Sequence, residues 1–225
     1  MSSANVACGY HAGDAETLRA TFALARGHGV ALGAHPGFAD RVSFGRAPQP
    51  LVSAADVEAL VRAQVALAQA AAAAVGGALR HVKAHGALAN QAATQLDLAL
   101  AVGRAIVSVD ASLRWIVMPG TALQRAAEQL DLVWVGEAYV DRGYDHSGLL
   151  LRRDLPGALL CDPAAAAARA IEMVARQALP LAAGAWLPAR VDSLCVHGDS
   201  AQALAMVRAL RSRLAEAGVS VGAWP

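Results

Sequence analysis

The chain has 225 residues, of which 56% are hydrophobic, and a formal net charge of +1 at pH 7. This length suits one α/β domain, and the near-neutral charge excludes the broad electrostatic attraction that nucleic acids and anionic lipids need. No uncharged apolar stretch approaches the roughly 20 residues of a membrane span, and the first residues lack the basic and apolar segments of a secretory signal. We therefore expect a single cytoplasmic domain over residues 1–225.

The cysteines are three in number, Cys8, Cys161 and Cys195, and their spacing is not that of a metal site. An odd count in strand-like surroundings is typical of reduced thiols that are buried as small hydrophobic groups. We therefore expect buried, reduced cysteines and no disulfide.

Short apolar runs alternate with helix-length segments in the first half of the chain. Asp14 is a capping residue before a helix that Gly27 ends, and Ser53 caps a longer helix that ends before Gly76. The connection 35–50 is long, and loops of that length usually have a functional reason. The predicted strands cover residues 4–8, 30–34 and 79–83, and the predicted helices cover residues 15–27 and 54–75.

The same alternation continues in the second half. Asp162 followed by Pro163 is a helix start, and Ser200 is a capping residue before the last helix. The predicted strands cover residues 114–118, 133–138 and 193–196, and the predicted helices cover residues 95–107, 121–130, 163–177 and 201–217.

Strands that are separated by helices favour a parallel sheet, because parallel neighbours need long crossover connections. The sequence has about six such strands, fewer than the eight of a regular (β/α)8 barrel. On the residues alone, an incomplete barrel and an open sheet both remain possible.

Four histidines follow predicted strands and have glycines or small residues beside them. They are His11, His35, His85 and His197. Residues just past the carboxyl ends of parallel strands face the crevice in which α/β sheets bind ligands. We therefore predict that these imidazoles meet around one pocket as catalytic groups.

The first of these histidines lies in a cluster that runs from Asn5 to Asp14. Its glycines let the backbone approach a ligand, and the helix that follows offers free N–H groups to an anion. The alternative makes Asp14 a helix cap and His11 a loop histidine, and for either residue alone the two interpretations are equally supported. Together these residues favour a site, with Asn5 as a binding group.

The strand 79–83 places His81 and Lys83 on one face, and His85 continues that alternation. A lysine in a central strand is buried at a high cost unless it meets a charged ligand, so we predict that Lys83 binds an anion or phosphate. A solvated edge strand is the alternative, and the role of His81 stays open. Asn90 and Arg46 are further predicted substrate contacts.

Two charged residues, Asp141 and Arg142, follow the strand 133–138, where an active-site loop is expected. We predict that both bind substrate or phosphate, with ordinary surface charge as the alternative. Asp199 belongs to the last histidine motif, and it is either a catalytic group or a companion of the helix cap at Ser200.

Taken in order, these clusters resemble the LamB/YcsF family. The resemblance runs through nearly the whole chain, and its linked motifs are far more specific than any one of them. The motifs are residues 3–14 (SANVACGYHAGD), 33–38 (GAHPGF), 81–88 (HVKAHGAL), Asp141-Arg142 with Tyr144, and 196–199 (VHGD). The resemblance implies an irregular, often seven-stranded, parallel β/α barrel of the glycoside hydrolase and deacetylase type.

The resemblance also implies an activity: the ATP-dependent opening of the lactam ring of 5-oxo-L-proline to L-glutamate, performed with two partner subunits of a 5-oxoprolinase. ATP would then be a cosubstrate. One of the four strand-end histidines would be the general base on water, because imidazole titrates near neutral pH. Lys83 and Arg142 would hold phosphate or carboxylate, and Asp14 and Asp199 would orient imidazoles or transfer protons.

The chain departs from the family pattern at its start. Family members usually have a further strand with several acidic residues before the first motif, and we expect this chain to lack it, through either a start assigned downstream or a shortened form with an incomplete pocket. Smaller differences are Ala84, where the family usually has Pro, and Ala89, where it usually has Tyr.

Two other classes of function stay open. A metal-dependent deacetylase or related hydrolase would use Asp and His ligands on a divalent ion, but the sequence has no compact histidine pair, and we predict no metal site. A non-catalytic subunit that only docks on its partners is the second. The sequence also has no phosphate-binding Gly-x4-Gly-Lys-Ser/Thr loop and therefore does not locate ATP.

Overall fold

The computed structural model describes residues 1–223, which form two compact units. The first unit contains residues 1–117 and 121–134 together with Ala223, and the second contains residues 118–120 and 135–222. The prediction of a single domain over residues 1–225 stays a prediction. Among the helices of the described part of the chain, none is long and apolar enough to cross a membrane.

The first unit is an α/β arrangement in which four parallel strands, β1 to β4, are neighbours in chain order. Helices connect each strand to the next, as parallel pairing requires. The elements are β1 (Ser3–Ala7), α1 (Ala15–Gly27), β2 (Ala31–His35), α2 (Ala54–Ala74), β3 (Leu79–Lys83), α3 (Gly86–Thr94), α4 (Leu96–Val109), β4 (Arg114–Val117) and α5 (Ala122–Gln129).

The second unit combines one parallel strand pair with an antiparallel hairpin. β5 pairs with β8 in parallel, and the short strands β6 and β7 form the hairpin. The elements are β5 (Trp134–Tyr139, which begins at the last residue of the first unit), α6 (Pro163–Arg176), β6 (Ala178–Pro180), β7 (Trp186–Pro188), β8 (Ser193–Cys195) and α7 (Ala203–Glu216), with a 3₁₀ turn at Ala182–Gly184.

The parallel α/β class is confirmed, and so are six of the strands within a residue or two of their predicted ends. Helix α3 was not predicted because its N-cap, His85, makes no side-chain capping bond, so the usual signal is missing. The hairpin β6–β7 was missed because strands of three residues are too short to show a period of two. The cap of α7 is Gln202, not Ser200.

The long helix α2 packs against α1 and α4 of the first unit. Its fully buried side chains, Val57, Val61, Val65, Ala68 and Ala72, recur every three or four residues and form one apolar face. The capping bonds at both predicted helix starts in this unit are present: Asp14 accepts from the N–H of Thr17, and Ser53 accepts from the N–H of Asp56.

Candidate functional site

One face of the first three strands carries polar side chains in register. Asn5 of β1 is opposite Gly33 of β2, and Gly33 is opposite His81 of β3. The His81 ring lies over Gly33, where any Cβ would clash with it, and Nε2 donates to Oδ1 of Asn5 at 3.0 Å. A glycine in the middle strand thus lets a buried histidine bridge to the first strand.

His35 and His85 form a hydrogen-bonded pair beyond the row of Asn5, Gly33 and His81, towards the carboxyl ends of the strands. The Nδ1 of His35 is 2.7 Å from the carbonyl oxygen of Lys83, and its Nε2 is 3.0 Å from Nδ1 of His85. The Nε2 of His85 is 2.8 Å from the carbonyl oxygen of Phe44. Both rings are therefore fixed at both of their nitrogens.

A third imidazole, His11, lies flat on His85, with ring centroids 4.0 Å apart and an interplanar angle of 4°. His35 meets both rings edge to face. Phe44 also packs edge-on against His11 and His85. The predicted meeting of strand-end histidines is thus present for His11, His35 and His85 within the first unit.

Two glycines make room for the stack of His11 and His85. A Cβ at Gly37 would lie 2.8 Å from Nδ1 of His11, and one at Gly45, whose φ is +67°, would lie 2.9 Å from the Cβ of His11. The buried side chain of Gln64 holds Gly37 in place: its Oε1 accepts from the Gly37 N–H at 3.0 Å, and its Nε2 donates to the Gly37 carbonyl at 2.8 Å. Sequence analysis did not single out Gln64, because in an alanine-rich helix it resembles a surface residue.

Burial sets the protonation of these histidines. It lowers the pKa of His11 to about 4, with further contributions from the positive charges of His85, Arg46 and Arg41. Burial also lowers the pKa of His81 to about 3, with Lys83 and Arg114 adding to the effect. The pKa of His35 is well below its ordinary value, again mainly because the ring is buried. At neutral pH His11 and His81 are therefore neutral.

The loop 36–52 is tied to the first histidine motif by Arg41. Its Nη2 donates to the carbonyl oxygens of Gly9 and Gly13, each at 2.6 Å. Arg46, a predicted substrate contact, is half-buried, and its guanidinium lies over the ring of Phe44 at 5.0 Å from the centroid. The predicted functional loop therefore contributes Phe44 and Gly45 to the histidine cluster.

The other predicted residues of the first unit differ in their surroundings. Lys83 is buried at the end of β3, with 5% of its surface exposed. Asn90 is exposed on α3. The exposed carboxylate of Asp14 caps α1, and the backbone N–H of Thr17 lowers its pKa. The capping interpretation of Asp14 is thus confirmed, and catalytic or binding roles for Asp14, Asn90 and Lys83 stay predictions.

The second unit brings Asp141 and His197 together. The Nδ1 of His197 donates to the carboxylate of Asp141 at 2.8 Å from Oδ2, and the backbone N–H of His197 donates to the same oxygen at 3.1 Å. Burial opposes ionisation of Asp141, but the His197 hydrogen bonds and charge outweigh it and lower the pKa of the carboxyl. The ring of Tyr139 stacks on His197 at 5.7 Å.

Two arginines shape the loop after β5. Arg142 donates from Nε to the carbonyl of Ala158 and from Nη2 to that of Leu151. Arg169, which sequence analysis did not identify, donates from Nη2 to the carbonyls of Tyr139, Val140 and Arg142. Arg142 therefore has a structural role in this loop, and its predicted contact with phosphate or carboxylate stays a prediction.

Asp199 is exposed two residues beyond His197. Of the cysteines, Cys8 and Cys195 are buried as predicted, whereas Cys161 is exposed because it precedes the start of α6 at the surface. Burial raises the pKa of the Cys8 thiol to about 12, so this thiol is protonated and unreactive.

The histidines of the two side-chain clusters do not form a metal centre with their described neighbours. Within residues 1–223, no group of three or more His, Cys, Asp or Glu side chains is arranged so that it could hold a metal ion. In the His35–His85 pair, the ring nitrogens face each other or backbone carbonyls at hydrogen-bond distance.

Comparisons with known proteins agree with the motifs. The A subunit of the 5-oxoprolinase of Rhodopseudomonas palustris (strain BisA53) is 44% identical over 220 residues, which span 98% of this chain and 86% of that protein. The protein of the same name from Symbiobacterium thermophilum is 45% identical over 223 residues, or 99% of this chain and 85% of that protein.

A solved structure extends the comparison to the fold. The crystal structure of a lactam utilization protein from Thermus thermophilus is similar with a TM-score of 0.91 and 40% identity, over 99% of this chain and 89% of that one. The sequence model of the LamB/YcsF family matches residues 1–225. The chain therefore belongs to the LamB/YcsF family.

Proposed function

We propose that this chain is the A subunit of a 5-oxoprolinase and takes part in the ATP-dependent opening of 5-oxo-L-proline to L-glutamate, together with two other subunits. The names of its relatives, which are 5-oxoprolinase A subunits and a lactam utilization protein, support this assignment. The observation that carries a hydrolytic role is the hydrogen bond between His197 and Asp141.

The chemistry explains the need for ATP. A lactam carbonyl is a poor electrophile, and phosphorylation of its oxygen turns that oxygen into a leaving group and exposes the carbon to water. Water then needs a base as it attacks, and the ring nitrogen needs a proton as its bond to carbon breaks. ATP is the cosubstrate that supplies the phosphoryl group in this proposal.

His197 is the proposed general base. Asp141 accepts a hydrogen bond from the Nδ1–H group, which fixes the tautomer with an unprotonated Nε2 and stabilises the imidazolium that forms when Nε2 takes a proton from water. The second bond, from the His197 backbone N–H to Asp141, fixes the carboxylate itself. Lys83, a buried cation, is the proposed contact for a phosphate or carboxylate group.

The experiment is ATP-dependent glutamate release from 5-oxoproline by the chain with and without its two presumed partner subunits. We expect turnover only with the partners, and Asp141→Asn should lower kcat by roughly 100-fold or more, since a misoriented imidazole loses general-base catalysis. Asp162→Asn is the matched control, because Asp162 caps α6 and asparagine caps helices equally well.

Full activity of the folded Asp141→Asn variant would exclude the assigned base. Lys83→Ala separately tests the proposed contact with a phosphate or carboxylate group, and we expect this variant to have a raised KM. Glutamate release that is lost together with a stoichiometric metal ion would favour the deacetylase-like alternative. Complex formation without any turnover would favour a subunit that only docks.

A further inference from the structure

The His35–His85 pair makes one more hydrogen bond than two neutral imidazoles can supply. Carbonyl oxygens only accept hydrogen bonds. Nδ1 of His35 therefore donates to the backbone carbonyl of Lys83, and Nε2 of His85 donates to the backbone carbonyl of Phe44. The remaining nitrogens, Nε2 of His35 and Nδ1 of His85, are 3.0 Å apart and need a third proton between them.

A neutral pair would leave one of these contacts without a proton. Either two nitrogen lone pairs would face each other at 3.0 Å, or a nitrogen lone pair would face a carbonyl oxygen. An unsatisfied buried contact of this kind is unfavourable because the low dielectric strengthens the repulsion. We propose that His35 and His85 share one excess proton and titrate as a single group, with three N–H bonds and one positive charge in the loaded state.

The neighbouring groups allow one charge but oppose a second. His11 stacks on His85, and its Nδ1 has no hydrogen-bond partner among residues 1–223; its pKa of about 4 keeps this ring neutral at neutral pH. A neutral ring stacked on an imidazolium adds no charge repulsion. The Cys8 thiol, which lies near the His35 backbone, is also neutral.

The charged groups that act on the cluster are cations. Lys83 acts on His35, and Arg46 and Arg41 act on His11 from the loop. Burial first, and then the charges of His85 and Lys83, lower the pKa of His35, whereas the hydrogen bonds to the two carbonyls and the shared proton favour the charged form. The pair should therefore take up its proton at a lower pH than an exposed histidine does, and release it readily.

Release of the shared proton changes the pair from three N–H bonds and a charge of +1 to two N–H bonds and no charge, and uptake of one proton from solvent restores it.

The test is a pH titration of the full chain labelled with ¹⁵N in its histidine rings, followed by NMR. We expect the His35 and His85 rings to change together with uptake of one proton, at a lower pH than the imidazole of an unfolded peptide. Either His35→Gln or His85→Gln should remove this coupled change. His28→Gln and His146→Gln should leave it intact.

Separate titration of the two rings, each with its own proton, would overturn the proposal. So would two rings that stay neutral down to the pH of acid unfolding. Both outcomes are read from the unsubstituted chain, so the test holds even where a glutamine variant fails to fold. It requires no ATP, lactam or partner subunit, so its failure is distinguishable from a failure of the proposed function in the glutamate assay.

Discussion

At the scale of single residues, Gly33 shows how one missing side chain permits a polar contact across three strands. It is buried between Asn5 and His81, and the His81 ring occupies the space where a Cβ would be. Glycine in a strand interior often marks such a close approach. At this position φ is not in the left-handed region, so the reason is space and not backbone conformation.

Gly33→Ala should destabilise the protein by about 1–3 kcal/mol, because the added methyl group forces the His81 ring away from Asn5 in a packed interior. Urea unfolding followed by circular dichroism measures this difference. Gly27→Ala is the matched control, since a Cβ there has no heavy atom within 4 Å. Equal stability of the two variants would contradict the packing that we describe.

At the scale of elements, helix α2 supports the histidine cluster through one polar side chain. Gln64 is completely buried on its apolar face and makes hydrogen bonds with both backbone groups of Gly37. Gly37 in turn lies against His11. The helix therefore positions a loop that carries no regular secondary structure of its own.

Gln64→Met should lower the free energy of unfolding by about 1–3 kcal/mol, because it leaves the buried N–H and C=O of Gly37 without partners. The midpoint of urea unfolding reports this loss. Gln69→Met on the same helix is the control: Gln69 is only half-buried, and its contact with Asp110 is long, at 3.4 Å. A similar midpoint for the two variants would mean that Gln64 does not hold the loop.

At the scale of the whole molecule, the buried histidines predict how stability depends on pH. The pKa of His81 is about 3 and that of His11 about 4 in the folded state, against 6.5 for an ordinary histidine. Between these values the unfolded chain binds more protons than the folded one, so acid favours unfolding. Their contribution is complete above pH 6.5 and decreases as the pH falls toward 4.

We expect the free energy of unfolding to fall by roughly 2–4 kcal/mol between pH 6.5 and pH 5, at up to about 1.4 kcal/mol per pH unit for each histidine. Urea unfolding at fixed ionic strength measures it. The pKa of Asp141 is lowered from 3.8, so protonation of this carboxyl destabilises the folded protein only at a lower pH than protonation of the histidines does. His146→Gln, at an exposed position, is the control substitution. Stability that is constant or rises on acidification would contradict the prediction.

The sequence by itself determined the alternation of strands and helices, the family and the position of four histidines at strand ends or a few residues beyond them. These are local properties: a buried strand needs a continuous apolar run, and the helix starts at Asp14, Ser53 and Asp162 need only a capping side chain near free N–H groups. Ser200 shows the limit of such signals, because the structure starts the last helix at Gln202.

Only the tertiary structure decided which side chains meet. His35 and His85 are 50 residues apart, and Asp141 and His197 are 56 residues apart, so no local pattern indicates these hydrogen bonds. Gln64 and Gly37 likewise meet only because a helix packs beside a loop. Protonation follows from those contacts, since burial and hydrogen-bond partners, not residue type, set where each proton lies.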